Sequence, residues 1–208
     1  WARDRQGTQA LVSLPQGSAR MFVAARATAA NDIIIDEGSS LTILPEGKLN
    51  TSKNLIISSR NKAGSAVVIS PGGMLTVQGA IINQSHEPLL IESNDQGTGS
   101  LLHHNANVSA RVQQHIAGDP GIWRMMAAPV SDHALTTEFV KGPLYAWFEP
   151  SQSWVSSQNQ HVWPTWEFIH HSDNFQRVRG YLIAPDFAQG DNPTLEFSGI
   201  LNQGSFDV

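Results

Sequence analysis

The eight histidines are the residues of this sequence best suited to metal binding or to proton transfer near neutral pH. Four of them form two adjacent pairs, His103 with His104 and His170 with His171. Because neighbouring side chains of a strand point to opposite faces, neither pair can chelate one ion. The sequence also has no cysteine and no HExxH, GxSxG, P-loop or GxGxxG motif. It therefore predicts that the chain is not an enzyme.

A short polar stretch near the C-terminus is the remaining metal candidate. Asp186, Asp191 and Asn192 lie around Gly190 and carry the hard oxygen ligands that Ca²⁺ prefers. Their spacing does not match an EF-hand loop, and a plain turn before Pro193 is the simpler interpretation. Calcium is thus the one cofactor that we consider, and the main expectation is a chain without a cofactor.

Tryptophan side chains offer a third kind of site, since their faces stack on the C–H groups of pyranose sugars. Five of the six tryptophans lie after residue 107. Trp154, Trp163 and Trp166 are candidates for a carbohydrate-binding platform. Trp123 and Trp147 lie in apolar segments that resemble strands and are predicted to be core residues. Polysaccharide is therefore one candidate partner.

The composition limits the scaffold that could position these residues. The net charge of −5 argues against a nucleic-acid surface. No apolar run approaches the roughly 18 residues that a membrane-spanning helix needs, so no membrane insertion is expected. The 17 glycines, the 11 prolines and a charged fraction of only 15% favour strands and turns over long helices. We therefore expect an all-β protein.

An internal repeat organises residues 31–106. The apolar runs III (33–35), VVI (67–69) and LLH (101–103) recur at even intervals, with turns rich in Gly, Pro, Asn and Ser between short apolar segments. A period of about 34 residues falls in the range that is typical of solenoid repeats. Stacked copies would place Ile34, Val68 and Leu102 in one column. The pattern predicts a short β-solenoid, or β-helix. A β-sandwich of two similar hairpins is the alternative.

Residues 107–208 show a different pattern. Segments of alternating apolar and polar residues at 108–116, 143–148, 180–183 and 194–198 include bulky aromatic side chains. They predict an antiparallel β-sandwich. One short helix is predicted near residues 133–140, with Ser131 or Asp132 as its N-cap.

The N-terminal arm, residues 1–30, contains two further apolar runs. The candidate assembly residues in these runs are Leu11, Val12, Leu14, Met21, Phe22 and Val23. Such strands can fold back as a cap on their own solenoid, or they can add to a sheet of a second copy. A head-to-tail contact of the second kind does not close on itself and builds a fibre. The chain itself is thus a candidate partner.

Several short motifs resemble a recurring region of Bacteroidota surface proteins. They are the run GTGSLLHHNANVSARVQQHI (97–116) and the segments WRMMAAPV (123–130), LYAWFEPSQSW (144–154), RGYLI (179–183) and FSGILNQG (197–204). The resemblance spans residues 31–204 and implies export by type IX secretion, with roles in adhesion, gliding, or matrix or stalk formation. Proteins of this group carry a C-terminal sorting domain, which does not follow Val208 here. We expect that it has been cleaved or that the chain is part of a longer protein.

These observations predict a secreted, extracellular or cell-surface protein with a structural or adhesive role. Its partners would be further copies of itself, forming a fibre or matrix, or other components of the cell surface. Two alternatives remain open: a carbohydrate-binding module of a secreted multidomain protein, and a monomeric spacer module of a surface adhesin.

Overall fold

The computed structural model describes residues 10–11, 20–58, 66–85, 89–119, 121–135, 144–148, 152–156, 174–177, 179–184 and 194–203. Within these residues the chain forms strands and no helix, so the expected all-β class is confirmed. The strands make up one two-stranded hairpin and four larger sheets, which we number 1 to 4.

Three of these sheets wind into a β-solenoid of about four turns with parallel strands. Each turn passes through sheet 1, then sheet 2, then sheet 3. Sheet 1 contains β2 (Arg20–Val23), β5 (Ser40–Ile43), β8 (Val67–Ile69), β11 (Leu89–Ile91) and β15 (Ser109–His115). Sheet 2 contains β1 (Ala10–Leu11), β3 (Arg26–Ala29), β6 (Lys48–Thr51), β9 (Met74–Val77) and β14 (Ser100–His103). Sheet 3 contains β4 (Ile33–Ile35), β7 (Leu55–Ile57) and β10 (Ile81–Asn83).

From β2 onwards, the pairing of successive strands gives the length of one turn. The shortest step leads from Arg20 to its partner Ser40 in sheet 1. The longest steps are equal in length and occur in all three sheets: Leu41 pairs with Val67, Lys48 with Met74, and Leu55 with Ile81. All of these steps are shorter than the predicted repeat. The parallel stack also begins within residues 1–30, because β1 pairs with β3 and β2 pairs with β5.

The predicted column of Ile34, Val68 and Leu102 is wrong, although the β-solenoid itself is confirmed. These three residues lie in sheets 3, 1 and 2, respectively. Every strand of the solenoid is a short apolar segment followed by a turn, so the three sheets look alike in sequence. The predicted repeat aligns the apolar run of β4 with that of β8, which is the fourth strand after it. One turn of the solenoid contains only three strands.

Glycines at one corner of the solenoid are spaced by the length of its longest turns. Gly47, Gly73 and Gly99 each stand directly before a strand of sheet 2 and are evenly spaced along the chain. A Cβ atom on Gly47 would lie 2.1 Å from the carbonyl oxygen of Val23, and one on Gly99 would lie 2.4 Å from that of Ile69. Successive turns approach so closely at this corner that a larger residue does not fit.

The interior of the solenoid is filled by every second side chain of each strand. In the three-residue strands β4 and β7 of sheet 3, the outer two side chains point inward, and Ile35, Leu55 and Ile57 are fully buried. The same alternation buries Leu49 and Leu75 in sheet 2. Burial of such aliphatic side chains stabilises the fold by roughly 1.5–3 kcal/mol each.

Side-chain oxygens accept backbone N–H groups at the corner between sheets 2 and 3. Asp32 Oδ1 accepts from Asn54 N (3.0 Å), and Asn54 Oδ1 accepts from Ala80 N (2.9 Å). In the last turn, Asn105 Oδ1 accepts from Ile81 N (3.1 Å). These bonds connect successive turns where the chain leaves the regular ladder, and they satisfy donors that would otherwise be unpaired.

Antiparallel strands end the parallel stack on its C-terminal side. β21 (Thr194–Leu201) pairs with β15 in antiparallel orientation, and β17 (Val130–Ser131) pairs in the same way with β21. Sheet 1 therefore continues across the expected domain boundary near residue 107. The hairpin of β12 (Ser93–Asn94) and β13 (Gly97–Thr98) is an insertion between β11 and β14.

Sheet 4 is a separate antiparallel sheet in the order β16 (Arg124–Met126), β20 (Tyr181–Ile183), β18 (Leu144–Phe148) and β19 (Ser153–Ser156). Phe175 connects it to sheet 1. The ring centroid of Phe175 lies 4.8 Å from that of Tyr181 in β20 and 5.6 Å from that of Phe197 in β21. All three rings are buried.

The predicted helix near residues 133–140 does not form where the structure describes this segment. Ala134 makes an antiparallel bridge with Asn174, and residues 136–140 lie outside the described residues. The described part of the chain also contains no helix that is long and apolar enough to cross a membrane.

Candidate functional site

The outer side of sheet 4 carries a group of aromatic and aliphatic side chains, of which Trp123, Met125 and Trp147 are exposed and the others are half-buried. We call this group the aromatic face; its members are Trp123, Met125, Tyr145, Trp147, Trp154 and Leu182. Strand alternation produces it, because the neighbours Leu144, Ala146, Tyr181 and Ile183 are buried on the inner side of the same strands. Met125 is 71% exposed, whereas Met126 beside it is 6% exposed.

The indole rings of the aromatic face form two edge-to-face pairs. Trp147 and Trp154 are cross-strand neighbours whose ring centroids lie 5.5 Å apart at an interplanar angle of 72°. Trp123 meets Tyr145 at 5.3 Å and 62°. Trp123 and Trp147 are 46% and 38% exposed, so their predicted core position is wrong. Their segments are apolar because both sides of sheet 4 are apolar.

Gly180 lies beside Trp147 on the aromatic face and contributes no side chain to it. In the antiparallel register, Trp147 follows the Ala146–Tyr181 pair and lies opposite Gly180. A Cβ atom on Gly180 would have one described neighbour within 4 Å, the Cε atom of Met125 at 3.8 Å. The methyl group of Met125 therefore packs over Gly180 at ordinary van der Waals distance.

The guanidinium of Arg179 is held by hydrogen bonds next to the strand that carries Trp147. Arg179 donates two hydrogen bonds to the carbonyl oxygen of Trp147, from Nε (3.2 Å) and Nη2 (3.0 Å), and one from Nη1 to Gln176 Oε1 (2.8 Å). Because an arginine side chain has five N–H donors, two of those on Arg179 remain for a ligand. The bonds to the protein fix the charge next to the strand that carries Trp147.

The chemistry that these groups support is non-covalent binding. Exposed rings provide apolar contact area with polar edges, and the guanidinium provides directed donors. In the described residues no group of three or more histidines and acids could hold a metal ion. Of the tryptophans on this face, Trp154 is a predicted binding residue, whereas Trp123 and Trp147 are predicted core residues. The alternation of Leu144, Tyr145, Ala146 and Trp147 indicates that the strand has two different sides. It does not show which side packs against the rest of the protein.

The other predicted site residues lie elsewhere. Trp163, Trp166, Asp186, Asp191, Asn192, Val12 and Leu14 lie outside the described residues. Leu11 belongs to β1, which pairs with β3 of its own chain. Met21, Phe22 and Val23 belong to β2, which pairs with β5 of its own chain. The described part of the arm therefore forms the first turn of its own solenoid.

A fibre of stacked copies would form through the two ends of the solenoid. At the C-terminal end, β21 and β17 continue sheet 1 in antiparallel orientation. At the N-terminal end, β2 and β4 are edge strands of sheets 1 and 3 among the described residues. However, the inward side chains Val23, Ile33 and Ile35 of this first turn are buried, and Met21 and Ala27 are partly buried. An open apolar stack of the kind that templates further turns is not found in the described residues.

His103 is a structural residue at the last turn of the solenoid. It pairs with Val77 and takes the corresponding inward position in sheet 2. Its Nδ1 atom accepts a hydrogen bond from Asn105 N (3.2 Å). Burial lowers the pKa of His103 below its usual value, and the neighbouring His104 lowers it further. The neutral imidazole is thus the form that this position favours.

Comparisons of the chain with protein-family models, with curated proteins and with solved structures return no match.

Proposed function

We propose that the chain is a non-catalytic adhesive module of an extracellular or cell-surface protein, and that its aromatic face binds polysaccharide. The observation that carries this proposal is the exposure of Trp123, Met125 and Trp147 on a regular antiparallel sheet. Contiguous exposed apolar side chains on a folded domain indicate an interaction surface. Rings held in strands bind with little loss of conformational entropy, because the sheet fixes them before the ligand arrives.

The ring geometry favours a single polysaccharide chain over a flat crystalline surface. The two ring pairs stand at 72° and 62°, so neither pair offers two coplanar faces. Each pair forms a corner in which one ring face and one ring edge meet a ligand. One sugar ring fits such a corner, whereas a plane of aligned chains requires coplanar rings.

We assign the solenoid the role of a spacer and support for this face. Four turns at a strand spacing of about 4.8 Å extend for roughly 19 Å. We further propose that sheet 4 and the antiparallel end of sheet 1 form the expected sandwich. The contacts of Phe175 with Tyr181 and Phe197 support this arrangement.

Titration with a panel of soluble polysaccharides tests the proposal. Trp147→Ala should weaken binding of a positive polysaccharide by at least about tenfold, which corresponds to about 1.4 kcal/mol. Phe22→Ala is the matched control, because Phe22 is an exposed aromatic residue (55%) of β2 in sheet 1. Affinity electrophoresis and calorimetry measure the binding, and circular dichroism confirms that both variants fold. Equal affinities for the two variants and the parent chain would refute the role of the aromatic face.

Self-assembly into a fibre is the competing proposal. It predicts large species in sedimentation velocity at micromolar concentration, and removal of residues 1–19 should dissolve them. The adhesive module predicts a single small species before and after that truncation. The buried inward residues of the first turn favour the second outcome.

A further inference from the structure

The end of strand β18 is held differently on its two sides. On one side, Trp147 pairs with Trp154 of β19. On the other side, the pairing of β18 with β20 ends at Ala146 and Tyr181, before Trp147 is reached. The backbone of Trp147 therefore lies beyond the last residue pair between β18 and β20, and within sheet 4 its strand partner is β19 alone.

The guanidinium of Arg179 stands where the next strand partner would be. Its Nε and Nη2 atoms donate to the carbonyl oxygen of Trp147 at 3.2 and 3.0 Å. Hydrogen bonds from a charged donor are roughly twice as strong as those between neutral groups. Because both bonds come from one planar group, they also fix the direction in which this carbonyl oxygen points.

Arg179 is itself fixed by the segment that precedes it. Its Nη1 atom donates to Gln176 Oε1 (2.8 Å), and its backbone N–H donates to the Gln176 carbonyl oxygen (3.4 Å). The backbone N–H of Gln176 donates in turn to the hydroxyl oxygen of Tyr181 (2.8 Å). Phe175, the neighbour of Gln176, is buried and its ring contacts that of Tyr181. The guanidinium is thus attached to a segment that is anchored in the interior.

This arrangement has a consequence for the aromatic face. The edge-to-face contact of Trp147 with Trp154 depends on where the end of β18 lies, because each ring is carried by its own strand. Without the guanidinium, β19 is the element of sheet 4 that holds this end. A ligand that meets rings already in place does not have to order them, whereas ordering of large side chains lowers affinity.

We propose that Arg179 is a positioning residue of the aromatic face. Its guanidinium holds the end of β18, and the Trp147–Trp154 pair thereby keeps the arrangement in which the face binds its ligand. This inference rests on the proposed function, since it concerns the same face. It goes beyond that function because it makes the affinity depend on a bond within the protein and not on a contact with the ligand.

Exciton-coupled circular dichroism of the ligand-free chain tests the positioning. Two indoles in contact couple electronically and give a pair of bands of opposite sign in the far ultraviolet. The difference between the parent chain and Trp154→Phe isolates the signal of this pair. In the Arg179→Gln background the same difference should fall by about half or more, because both charged donors to the carbonyl oxygen are lost. Arg179→Lys should retain more of it, since lysine keeps the charge but loses the planar fork.

Arg177→Gln is the matched control. It removes an equal charge two positions away, but the guanidinium of Arg177 donates to Asn202 Oδ1 (3.2 Å) and to the Gln203 carbonyl oxygen (3.2 Å) and not to β18. The exciton signal of this variant should equal that of the parent chain. Urea unfolding of all variants identifies conditions in which each chain is fully folded, so that the signal reports the arrangement of the rings and not loss of the fold.

Titration with a polysaccharide that binds the parent chain connects the arrangement with binding. Arg179→Gln should weaken binding about fivefold, which corresponds to about 1 kcal/mol. Arg179→Lys should weaken it less, and Arg177→Gln should bind as the parent chain does.

The outcomes separate this inference from the proposed function. An unchanged exciton signal in Arg179→Gln would overturn the inference, even with weaker binding, since Arg179 would then contact the ligand directly. A lost signal with unchanged affinity would also overturn it, because the arrangement of the pair would not matter for binding. If no polysaccharide of the panel binds the parent chain, the proposed function fails, and the exciton signal alone decides whether Arg179 holds the pair.

Discussion

Replacement of Gly47 by alanine tests the close approach of successive turns. The added Cβ atom would lie 2.1 Å from the carbonyl oxygen of Val23 and 2.9 Å from that of Leu44. The Val23 oxygen already accepts a hydrogen bond from Leu44 N (2.9 Å), which closes the corner between sheets 1 and 2. The two turns must therefore separate locally by about 1 Å before a methyl group fits at ordinary van der Waals distance.

The cost of this separation follows from two terms. Overpacking of a tight site costs about 1–3 kcal/mol, and loss of the backbone hydrogen bond costs about 0.5–1.5 kcal/mol. The lower chain entropy of alanine in the unfolded state offsets about 0.4–1 kcal/mol. We expect Gly47→Ala to lower the free energy of unfolding by about 2–3 kcal/mol, which corresponds to a fall in Tm of about 4–12 °C for a domain of this size.

Urea unfolding followed by far-ultraviolet circular dichroism measures this effect. Gly180→Ala is the matched control, since its Cβ atom would make only an ordinary contact at 3.8 Å with a flexible methionine. The control should be as stable as the parent chain or slightly more stable. If Gly47→Ala and Gly180→Ala unfold at the same urea concentration, the turns do not approach at this corner and the reasoning fails.

Three further predictions concern the solenoid. Asn54→Ala removes the acceptor of an N–H group in the next turn and should cost about 1–3 kcal/mol in urea unfolding, whereas Asn54→Asp keeps an oxygen and should cost less. The folded chain holds the pKa of His103 below 6.5, so the unfolded chain binds this proton first as the pH falls. Stability that is present above pH 6.5 should therefore decline below it, and His103→Gln should show a smaller decline in unfolding curves between about pH 7.5 and pH 5. Asn50 and Thr76 are neighbours in sheet 2, whereas Thr42 and Thr76 are one predicted repeat apart but lie in different sheets. Spin labels at Asn50 and Thr76 should therefore show stronger dipolar broadening than labels at Thr42 and Thr76. The reverse order would restore the predicted repeat as one turn.

The fold class was predictable because strands and turns leave local signals. Short apolar runs between Gly, Pro, Asn and Ser turns indicate a solenoid regardless of the alignment chosen. The length of a turn was missed because the three sheets have similar strands, so similarity is high at any shift by a whole strand. Gly47, Gly73 and Gly99 were the better guide. Their position depends on a steric requirement of one corner and not on general apolar character.

The C-terminal half was harder to predict because its contacts are non-local. Ser109 pairs with Ile200, and Val130 with Leu201, although long stretches of sequence separate the partners. No local pattern encodes such a pairing. The aromatic face depends on the same information, because alternation in 144–148 shows that two sides exist, whereas tertiary packing decides which one is exposed. Trp147 was assigned to the wrong side for that reason.

Oxidation by hydroxyl radicals, read by tandem mass spectrometry, tests the aromatic face most directly. Met125 and Met126 are adjacent and chemically identical, yet one is 71% exposed and the other 6%. Met125 and Trp147 should therefore be oxidised several times faster than Met126 and Tyr181, and a saturating concentration of a bound polysaccharide should protect the first two. Similar rates for Met125 and Met126 in the free chain, or unchanged rates at saturation, would contradict the account.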